Sequence, residues 1–184
     1  MWKGRALSAP EGRGTRPTTD RTRESIASMV LSAFDLDMSG VRILDAFAGS
    51  GAVGFELLSR GASSCTFVER DRRAAGVVRD NAKSLGATSS QARLQVGDVC
   101  SLAKRGAVQG GPFSLVVLDP PYAMDAQEVA QLVLDLRDND QLEPGAYVLY
   151  EHAADLKDMS SDGFEVVKSK SHGITAVTLL QMGE

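Results

Sequence analysis

Cysteines and long apolar runs are scarce in this chain of 184 residues. The two cysteines, Cys65 and Cys100, are too few for a disulfide framework, and both lie in apolar runs, which is typical of buried thiols in a reducing compartment. No apolar run approaches the length of about 20 residues that a membrane-spanning helix needs. The first residues also lack the apolar core of a signal peptide. These absences exclude small secreted scaffolds and membrane proteins, and they predict a cytoplasmic protein.

Charge is distributed unevenly along the sequence. Residues 1–30 carry a net charge of +3, whereas the whole chain carries −4, so the remainder carries −7. We predict a basic N-terminal arm over residues 1–20 and a single compact domain over residues 21–184. A basic arm on an acidic body favours contact with a polyanion at one place. A solvated tail has the same composition, and charge alone does not distinguish the two.

Short apolar runs alternate with helical patterns along the predicted domain. Helices are predicted to begin near Asp20, Ala52, Asp71, Asp98 and Ala126, with Asp71 as a cap and Gly86 as the end of its helix. Strands are predicted over residues 41–46, 65–68, 93–96, 114–118, 146–150, 164–167 and 174–180, with a turn at Pro144-Gly145. The middle strands are continuously apolar, as in a parallel sheet covered on both faces by helices. The last two strands flank His172-Gly173 with no helix between them, and we expect them to be antiparallel.

Ligands of such sheets bind at the carboxyl ends of the strands. The first strand ends in Asp45-Ala46-Phe47-Ala48-Gly49-Ser50-Gly51-Ala52-Val53-Gly54, which satisfies the G-x-G-x-x-G pattern of dinucleotide sites. Asp45 argues against a dinucleotide, because its carboxylate would repel a pyrophosphate. A ligand with an ammonium group and no phosphate fits better, and S-adenosylmethionine is such a ligand. Gly49 and Gly51 would let the backbone approach its amino-acid end closely.

The second and third strands also end in acidic residues. Glu69, with Arg70 beside it, stands where a carboxylate can accept hydrogen bonds from both ribose hydroxyls, whereas Asp71 is interpreted as a helix cap. Asp98 can accept from an adenine amino group, and Val99 can pack on the ring. Each signal is weak alone, and together they support a nucleoside pocket.

The fourth strand ends in Asp119-Pro120-Pro121-Tyr122, the sharpest motif in the chain. Two prolines make the turn rigid and remove two N–H donors. The Asp119 carboxylate and the Pro120 carbonyl can then accept hydrogen bonds from one amino group, while Tyr122 stacks on a planar ring. This arrangement would hold an exocyclic amine against the methyl group of a sulfonium, so proximity and orientation supply most of the predicted catalysis.

These motifs resemble those of class I, S-adenosylmethionine-dependent methyltransferases that act on amino groups. The segment 14–25, the loop 45–54 and the segment 58–62 are more particularly similar to the ribosomal small-subunit methyltransferase D family. The resemblance covers almost the whole chain. It implies a Rossmann-like, mostly parallel seven-stranded sheet with an antiparallel last strand. It also implies methylation of the exocyclic N2 of one guanine in 16S ribosomal RNA, in an assembled or assembling small subunit.

The resemblance also assigns roles to individual residues. Residues 45–51, with Asp45, Phe47, Gly49 and Gly51 foremost and Ala48 and Ser50 between them, would hold the methionine end of the cofactor. Glu69 would hold the ribose, with Arg70 beside it also among the cofactor-binding residues. Asp98 and Val99 would lie at the adenine, and residues 119–122 at the guanine. The segment 16–24 would fold over the cofactor and touch RNA. Its candidate RNA contacts are Arg16, Thr18, Arg21 and Arg23, although a helix-terminal ion pair with Glu24 explains the last two equally well.

Three alternatives stay open on the sequence. The Asp119–Tyr122 turn alone also suits N6-adenine methylation in DNA or RNA. The three glycines suit a dinucleotide-dependent oxidoreductase, and the fold also suits an RNA-binding module without catalysis. His152 and His172 have no partners at metal-ligand spacing, so we predict no metal site and interpret them as structural or surface groups. We expect a monomer, because no segment has the pattern of an interface.

Overall fold

The computed structural model describes residues 20–154 and 163–183, with backbone alone at Asp20, Arg21 and His172. The helices are α1 (Asp20–Ala33), α2 (Ala52–Ser59), α3 (Arg72–Leu85), α4 (Val99–Lys104) and α5 (Ala126–Asp138). The strands are β1 (Arg42–Asp45), β2 (Ser64–Glu69), β3 (Ala92–Val96), β4 (Phe113–Leu118), β5 (Leu142–Ala153), β6 (Phe164–His172) and β7 (Thr175–Met182). Of the predicted arm over residues 1–20, only Asp20 lies within the described residues.

The strands form one seven-stranded sheet in the order β3-β2-β1-β4-β5-β7-β6. Strands β1 to β5 are parallel to one another, while β7 pairs antiparallel with both β5 and β6. The predicted α/β class, the mostly parallel sheet and the antiparallel last strand are therefore confirmed. The strand order reverses between β1 and β4, and this is the place where open α/β sheets bind their ligands.

Side chains and glycines at the helix ends explain the helix boundaries. Asp71 accepts hydrogen bonds from the backbone N–H groups of Arg73 and Ala74, and α3 ends at Gly86 with a φ of 70°. Asp125 forms a capping box with Glu128 at the start of α5. Each acidic cap satisfies N–H groups that have no partner within the helix. The prediction that Asp71 is a cap and that Gly86 ends its helix is therefore confirmed.

Helices cover both faces of the sheet. On one face, α1, α2 and α3 enclose a core that includes Ile26, Phe55, Phe67 and Val78. On the other face, α4 and α5 enclose a second core, with Phe113 and Leu132 among its fully buried side chains. Burial of both faces explains the continuously apolar middle strands.

Helix α1 packs on the sheet through its apolar residues. Ile26, Met29 and Val30 are buried in the core that α1 shares with α2 and α3. Phe34, just after the end of α1, packs edge-on against Tyr147 of β5, with ring centroids 5.1 Å apart.

Two predictions from the sequence need correction. Pro144-Gly145 does not precede a strand but lies within β5, where the register jumps from Phe113–Leu142 to Leu115–Tyr147. The extra residues bulge out of the ladder, because proline lacks an N–H and Gly145 has a φ of 72°. Cys100 is only partly buried, unlike Cys65, because it lies on the short helix α4 at the margin of the core.

Among the described residues, no helix is long and apolar enough to cross a membrane.

Candidate active site

Three carboxylates lie together at the carboxyl edge of adjacent strands. Asp45 ends β1, Asp119 follows β4, and Glu151 lies near the end of β5. Ile43, Val117 and Leu149, two positions earlier in each strand, all belong to the core beneath α1, α2 and α3. Since residues two apart in a strand share a face, the three carboxylates are directed to the same side of the sheet. Burial is the main cause of the raised pKa of Asp45 and of Glu151, and the charge of Asp119 adds to the rise in both, which agrees with this proximity.

Asp45 is the most buried of these groups, with 4% of its surface exposed. Its Oδ2 accepts a hydrogen bond of 3.2 Å from the backbone N–H of Gly54 in α2. Burial raises its pKa to about 7, and the hydrogen bond from Gly54 opposes this shift, while the charges of Asp119 and Glu69 reinforce it. A buried carboxylate among other carboxylates favours a cationic ligand, because a positive charge would stabilise its ionised form.

The glycine-rich loop forms an open cradle next to Asp45. Gly49 and Gly51 have φ angles of 54° and 77°, which residues other than glycine rarely adopt. A Cβ at Gly49 would meet no atom within 4 Å, so the space above this backbone is open. At Gly51, by contrast, a Cβ would come within 2.7 Å of the Phe55 ring. Gly51 therefore serves packing at the start of α2, and Gly49 leaves room for a ligand.

Glu69 connects the loop after β1 to the loop after β2. Its Oε2 accepts a hydrogen bond of 2.9 Å from the N–H of Gly49, and its Oε1 accepts one of 2.8 Å from the N–H of Asp71. The sequence predicted this carboxylate as a ribose ligand and did not predict its hydrogen bond to the backbone of the glycine-rich loop. Each carboxylate oxygen can accept a further hydrogen bond, so the ribose role stays a prediction. Arg70 is exposed beside it.

The other predicted residues of the loop differ in exposure. Ala48 is buried and donates its N–H to the Val68 carbonyl over 3.0 Å, while Phe47 and Ser50 are partly exposed. The Ser50 carbonyl accepts a hydrogen bond of 3.0 Å from Nδ2 of Asn81, a buried amide on α3. The sequence analysis missed Asn81. The sequence feature that could have identified Asn81 is a polar residue on the otherwise apolar face of the amphipathic helix α3.

Asp98 and Val99 lie at the end of β3, as predicted, but with contrasting surroundings. Asp98 is exposed, and its Oδ1 accepts a hydrogen bond of 2.8 Å from the Ser101 N–H as the cap of α4. Val99 is buried in the core beneath α4 and α5. The Asp98 carboxylate therefore has a structural role in addition to the predicted contact with adenine. Little of the Val99 side chain is available to a ring.

The Asp119-Pro120-Pro121-Tyr122 turn borders a small pocket. The pocket measures about 70 Å³ and is completed by residues of the loop after β4, of β5 and of β7: Met124, Tyr150, Glu151, His152, Ala153 and Thr175. Asp119 is open to solvent on one side, and the surrounding protein atoms displace enough water to raise its pKa to about 6. Tyr122 is 76% exposed, an unusual position for a large aromatic side chain. A wider groove of about 510 Å³ lies near Pro144, away from these motifs.

The floor of this pocket contains a hydrogen-bonded histidine. The rings of His152 and Tyr150 stack with centroids 4.8 Å apart. Nδ1 of His152 lies 2.9 Å from the Ala153 carbonyl, which can only accept, so Nδ1 carries a proton. Nε2 lies 3.1 Å from the Thr178 hydroxyl, which in turn lies 3.0 Å from the Ser169 hydroxyl. The interpretation of His152 as a structural group fits this buried network.

Glu151 is the second functional candidate that the sequence analysis missed. It is partly buried in the wall of the pocket, and burial, followed by the charge of Asp119, raises its pKa to about 7. No motif marked it in the sequence, because it follows an apolar strand whose loop has no glycine or proline pattern. The pairing of Leu118 with Tyr150 makes Glu151 the neighbour of Asp119 on the next strand.

The structure describes only some of the residues predicted to contact RNA. Arg16 and Thr18 lie outside the described residues, and Arg21 is described by its backbone alone. Arg23 is partly buried in the first turns of α1 and has an electrostatic or hydrogen-bond partner. Their assignment to RNA stays a prediction. Among the residues that the structure describes, no group of three or more His, Cys, Asp or Glu side chains could hold a metal ion.

The site fits S-adenosylmethionine better than it fits a dinucleotide. Asp45, Glu69, Asp119 and Glu151 lie at this edge of the sheet, and the ammonium and sulfonium groups of the methyl donor would stabilise their ionised forms. The same charges oppose a pyrophosphate, because like charges at short range are costly. The open backbone at Gly49 leaves space for the amino-acid end. This electrostatic pattern argues against the oxidoreductase alternative.

Comparisons of sequence agree with this chemistry. The family model described as "Conserved hypothetical protein 95" matches residues 1–181. A Haemophilus influenzae protein named ribosomal RNA small subunit methyltransferase D is 34% identical over 182 residues, which cover 98% of this chain and 90% of the relative. The Escherichia coli K12 protein of the same name is 35% identical over 151 residues, covering 82% of this chain and 71% of the relative.

Solved structures show the same likeness. HI0767 of Haemophilus influenzae, a candidate methylase, aligns with a TM-score of 0.79 at 30% identity, covering 100% of this chain and 95% of the other. A magnesium protoporphyrin IX methyltransferase from Synechocystis, solved with bound S-adenosylmethionine, aligns with a TM-score of 0.68 at 15% identity, covering 94% of this chain and 87% of the other. At that identity the second likeness concerns the fold alone.

Fold, charge pattern and likenesses together define a class: this chain is a Rossmann-like methyltransferase whose cofactor is S-adenosylmethionine. Within that class it belongs to the ribosomal small-subunit methyltransferase D family. The predicted family, fold and cofactor are confirmed.

Proposed function

We propose that this protein transfers a methyl group to the exocyclic N2 amine of a guanine in 16S ribosomal RNA. The substrate would be the small ribosomal subunit or its assembly intermediate, and the enzyme would act in the cytoplasm as a monomer. The names of the relatives support ribosomal RNA as the substrate class. The observation that carries the proposal is the Asp119–Tyr122 turn, with an exposed aromatic ring beside a partly desolvated carboxylate.

Orientation of the amine is the main task of this turn. An exocyclic amine is a poor nucleophile, because its lone pair is delocalised into the ring. Acceptors at the Asp119 carboxylate and the Pro120 carbonyl would hold its two hydrogens, and Tyr122 would stack on the base. Held in this way, the lone pair is directed at the electrophile, and the bimolecular reaction becomes effectively intramolecular.

Residues of the first three loops would hold the cofactor. Asp45 and the backbone at Gly49 suit its amino-acid end, Glu69 suits the ribose, and Asp98 suits the adenine. When bound, S-adenosylmethionine supplies an electrophilic methyl group on a positively charged sulfur. The new N–C bond would form as the methyl–sulfur bond breaks, which would leave S-adenosylhomocysteine, and the amine must lose a proton. Asp119 can accept that proton when it is ionised, above a pH of about 6.

Access to the pocket requires a base that has left its stack. Tyr122 and residues of β5 line the pocket, and enzymes that act on a base take it out of the stack to reach such a pocket. Tyr122, exposed at the rim, offers a stacking partner for the displaced base. The basic segment 1–20 would supply phosphate contacts that the acidic body lacks.

Methyl transfer from radiolabelled S-adenosylmethionine tests the proposal. Small subunits from a strain that lacks the gene would be compared with bare 16S RNA and with duplex DNA, and the labelled nucleoside would be identified after digestion. We expect N2-methylguanosine in the subunit. Asp119→Ala should abolish the label while leaving cofactor affinity within a few-fold of wild type, and Asp119→Asn, which keeps one acceptor, should lose less activity.

The nature of the labelled nucleoside decides between the alternatives. Label in N6-methyladenine would retain the fold and cofactor but refute the guanine substrate. Binding of the cofactor without transfer to any of the three substrates would refute the proposal and favour a non-catalytic RNA-binding module. Tight binding of a nicotinamide dinucleotide in competition with S-adenosylmethionine would favour the oxidoreductase alternative.

A further inference from the structure

One more carboxylate, Glu151, belongs to the pocket proposed for the substrate, and it has no role in the functions described so far. It lines the same small pocket as Asp119 and Tyr122. It follows Tyr150, which pairs with Leu118, so it sits one strand away from Asp119, or about 4.8 Å at the spacing of adjacent strands. The pocket wall therefore presents two carboxylates side by side to whatever base enters it.

Two adjacent carboxylates require a ligand with adjacent donors. On the Watson–Crick edge of guanine, the N1–H donor lies next to the N2 amine, so both positions donate. On adenine, the ring nitrogen next to the N6 amine is an acceptor, which would face the lone pairs of an ionised carboxylate. Adjacent donors suit guanine, because a carboxylate that meets an acceptor leaves both groups unpaired and costs binding energy.

We propose that Glu151 accepts the N1–H of the target guanine, while Asp119 and Pro120 hold its N2 amine. This inference rests on the proposed function and adds to it the residue that selects guanine over adenine. The Asp119–Tyr122 turn recognises an amine but does not distinguish a donor from an acceptor at the neighbouring ring nitrogen. Glu151 would make that distinction.

A bound guanine would change the electrostatics of Glu151. Burial and the charge of Asp119 together raise the pKa of Glu151 to about 7. A donor hydrogen-bonded to the carboxylate favours its ionised form, so a bound guanine would offset both effects. Among the described neighbours in the pocket, the His152 ring nitrogens already contact the Ala153 carbonyl and the Thr178 hydroxyl.

The test compares two substrates that differ in the target base. Semisynthetic 16S RNA, reconstituted into small subunits, would carry either guanine or 2,6-diaminopurine at the methylated position. Both bases have a 2-amino group, but the N1 position donates in guanine and accepts in 2,6-diaminopurine. The ratio of kcat/KM for the two substrates measures the recognition of N1–H. Titration with S-adenosylmethionine reports on folding independently.

We expect wild-type enzyme to prefer guanine by about 10- to 100-fold, the range for one well-placed hydrogen-bonding contact to a base. Glu151→Gln should bring the ratio close to 1, because an amide can either accept from guanine or donate to 2,6-diaminopurine. Glu151→Ala should reduce kcat/KM on guanine more than on the analogue. Glu165→Gln, an exposed glutamate on β6 outside the pocket, should leave the ratio at its wild-type value.

A wild-type ratio near 1, or an unchanged ratio in Glu151→Gln, would overturn the role of Glu151 while leaving N2 methylation intact. If the wild-type product on the natural subunit is another nucleoside, the proposed function itself is wrong, and the role of Glu151 falls with it. The two failures are therefore distinguished by the product in one case and by the ratio in the other.

Discussion

Gly54 allows α2 to lie close against β2, and replacing it with alanine tests whether this packing sets the geometry of the site. A Cβ at residue 54 would clash with the Phe67 ring, its nearest neighbour, and would come within 2.8 Å of the Cys65 Sγ. Both of these side chains are fully buried, so neither can move aside without displacing the core. The helix must shift outward or the core must strain.

The size of the effect follows from two opposing contributions. Overpacking a dense core costs about 1–3 kcal/mol, whereas replacing glycine by alanine within a helix stabilises by about 1 kcal/mol. Gly76 in α3 provides the matched control, because a Cβ there meets nothing within 4 Å. We therefore expect Gly76→Ala to be more stable than wild type, and Gly54→Ala to be less stable than Gly76→Ala by about 1–3 kcal/mol.

Urea unfolding and thermal melting measure this difference. For a chain of this size each kcal/mol moves Tm by about 2–4 °C. A second readout is specific to the site: the Gly54 N–H donates to Asp45, so an outward shift of α2 should also weaken binding of S-adenosylmethionine. If Gly54→Ala matches Gly76→Ala in stability and matches wild type in affinity, the close approach of α2 to β2 is not what fixes the site.

Three further predictions concern the pocket and its supports. Tyr122→Ala should lower kcat/KM for RNA by about 5- to 150-fold through lost stacking, while Tyr122→Phe stays near wild type and neither variant changes Tm. The pKa of Asp45 is raised to about 7, so the folded state binds its proton more tightly than the unfolded chain and stability should fall as pH rises from about 4 to 7; Asp45→Asn should flatten this dependence in urea unfolding. Thr178→Val should cost about 1–3 kcal/mol, because it leaves Nε2 of the buried His152 without that partner.

Each of these has an outcome that contradicts it. Equal kinetic loss in the two Tyr122 variants would assign the effect to the hydroxyl instead of the ring. An Asp45→Asn variant whose stability has the wild-type slope between pH 4 and 7 would show that Asp45 does not titrate in that window. A Thr178→Val variant with unchanged stability would mean that His152 finds another partner.

The order of strands and helices could be predicted from the sequence, because local residue patterns determine where each element begins and ends. Asp71 and Gly86 mark the limits of α3 by capping, and the apolar run before Asp119 marks a strand buried on both faces. The turn predicted at Pro144-Gly145 was wrong, because a bulge within a strand uses the same residue types as a turn. Only the pairing of β5 with β4 distinguishes the two.

The site was less completely predictable. Motifs in a single loop, such as residues 45–54 and 119–122, carry their own signal through glycine and proline. Asn81 and Glu151 carry no such signal, because their roles depend on elements distant in the chain: Asn81 reaches the Ser50 carbonyl across 31 positions. Glu69 is an intermediate case. The sequence predicted it as a carboxylate of the site, but only the structure shows its hydrogen bond from the Gly49 N–H.

The sequence by itself determined the class of fold, the methyl donor and the turn that holds an amine, because these depend on local periodicity and on the chemistry of short motifs. Tertiary structure alone decided which carboxylates meet. Parallel pairing in register brings β1, β4 and β5 together. Burial raises the pKa values of Asp45 and Glu151, the nearby charge of Asp119 adds to both shifts, and the pairing places a second acceptor beside Asp119. Charges interact through space, and distance in space is set by the pairing of strands and not by separation along the chain.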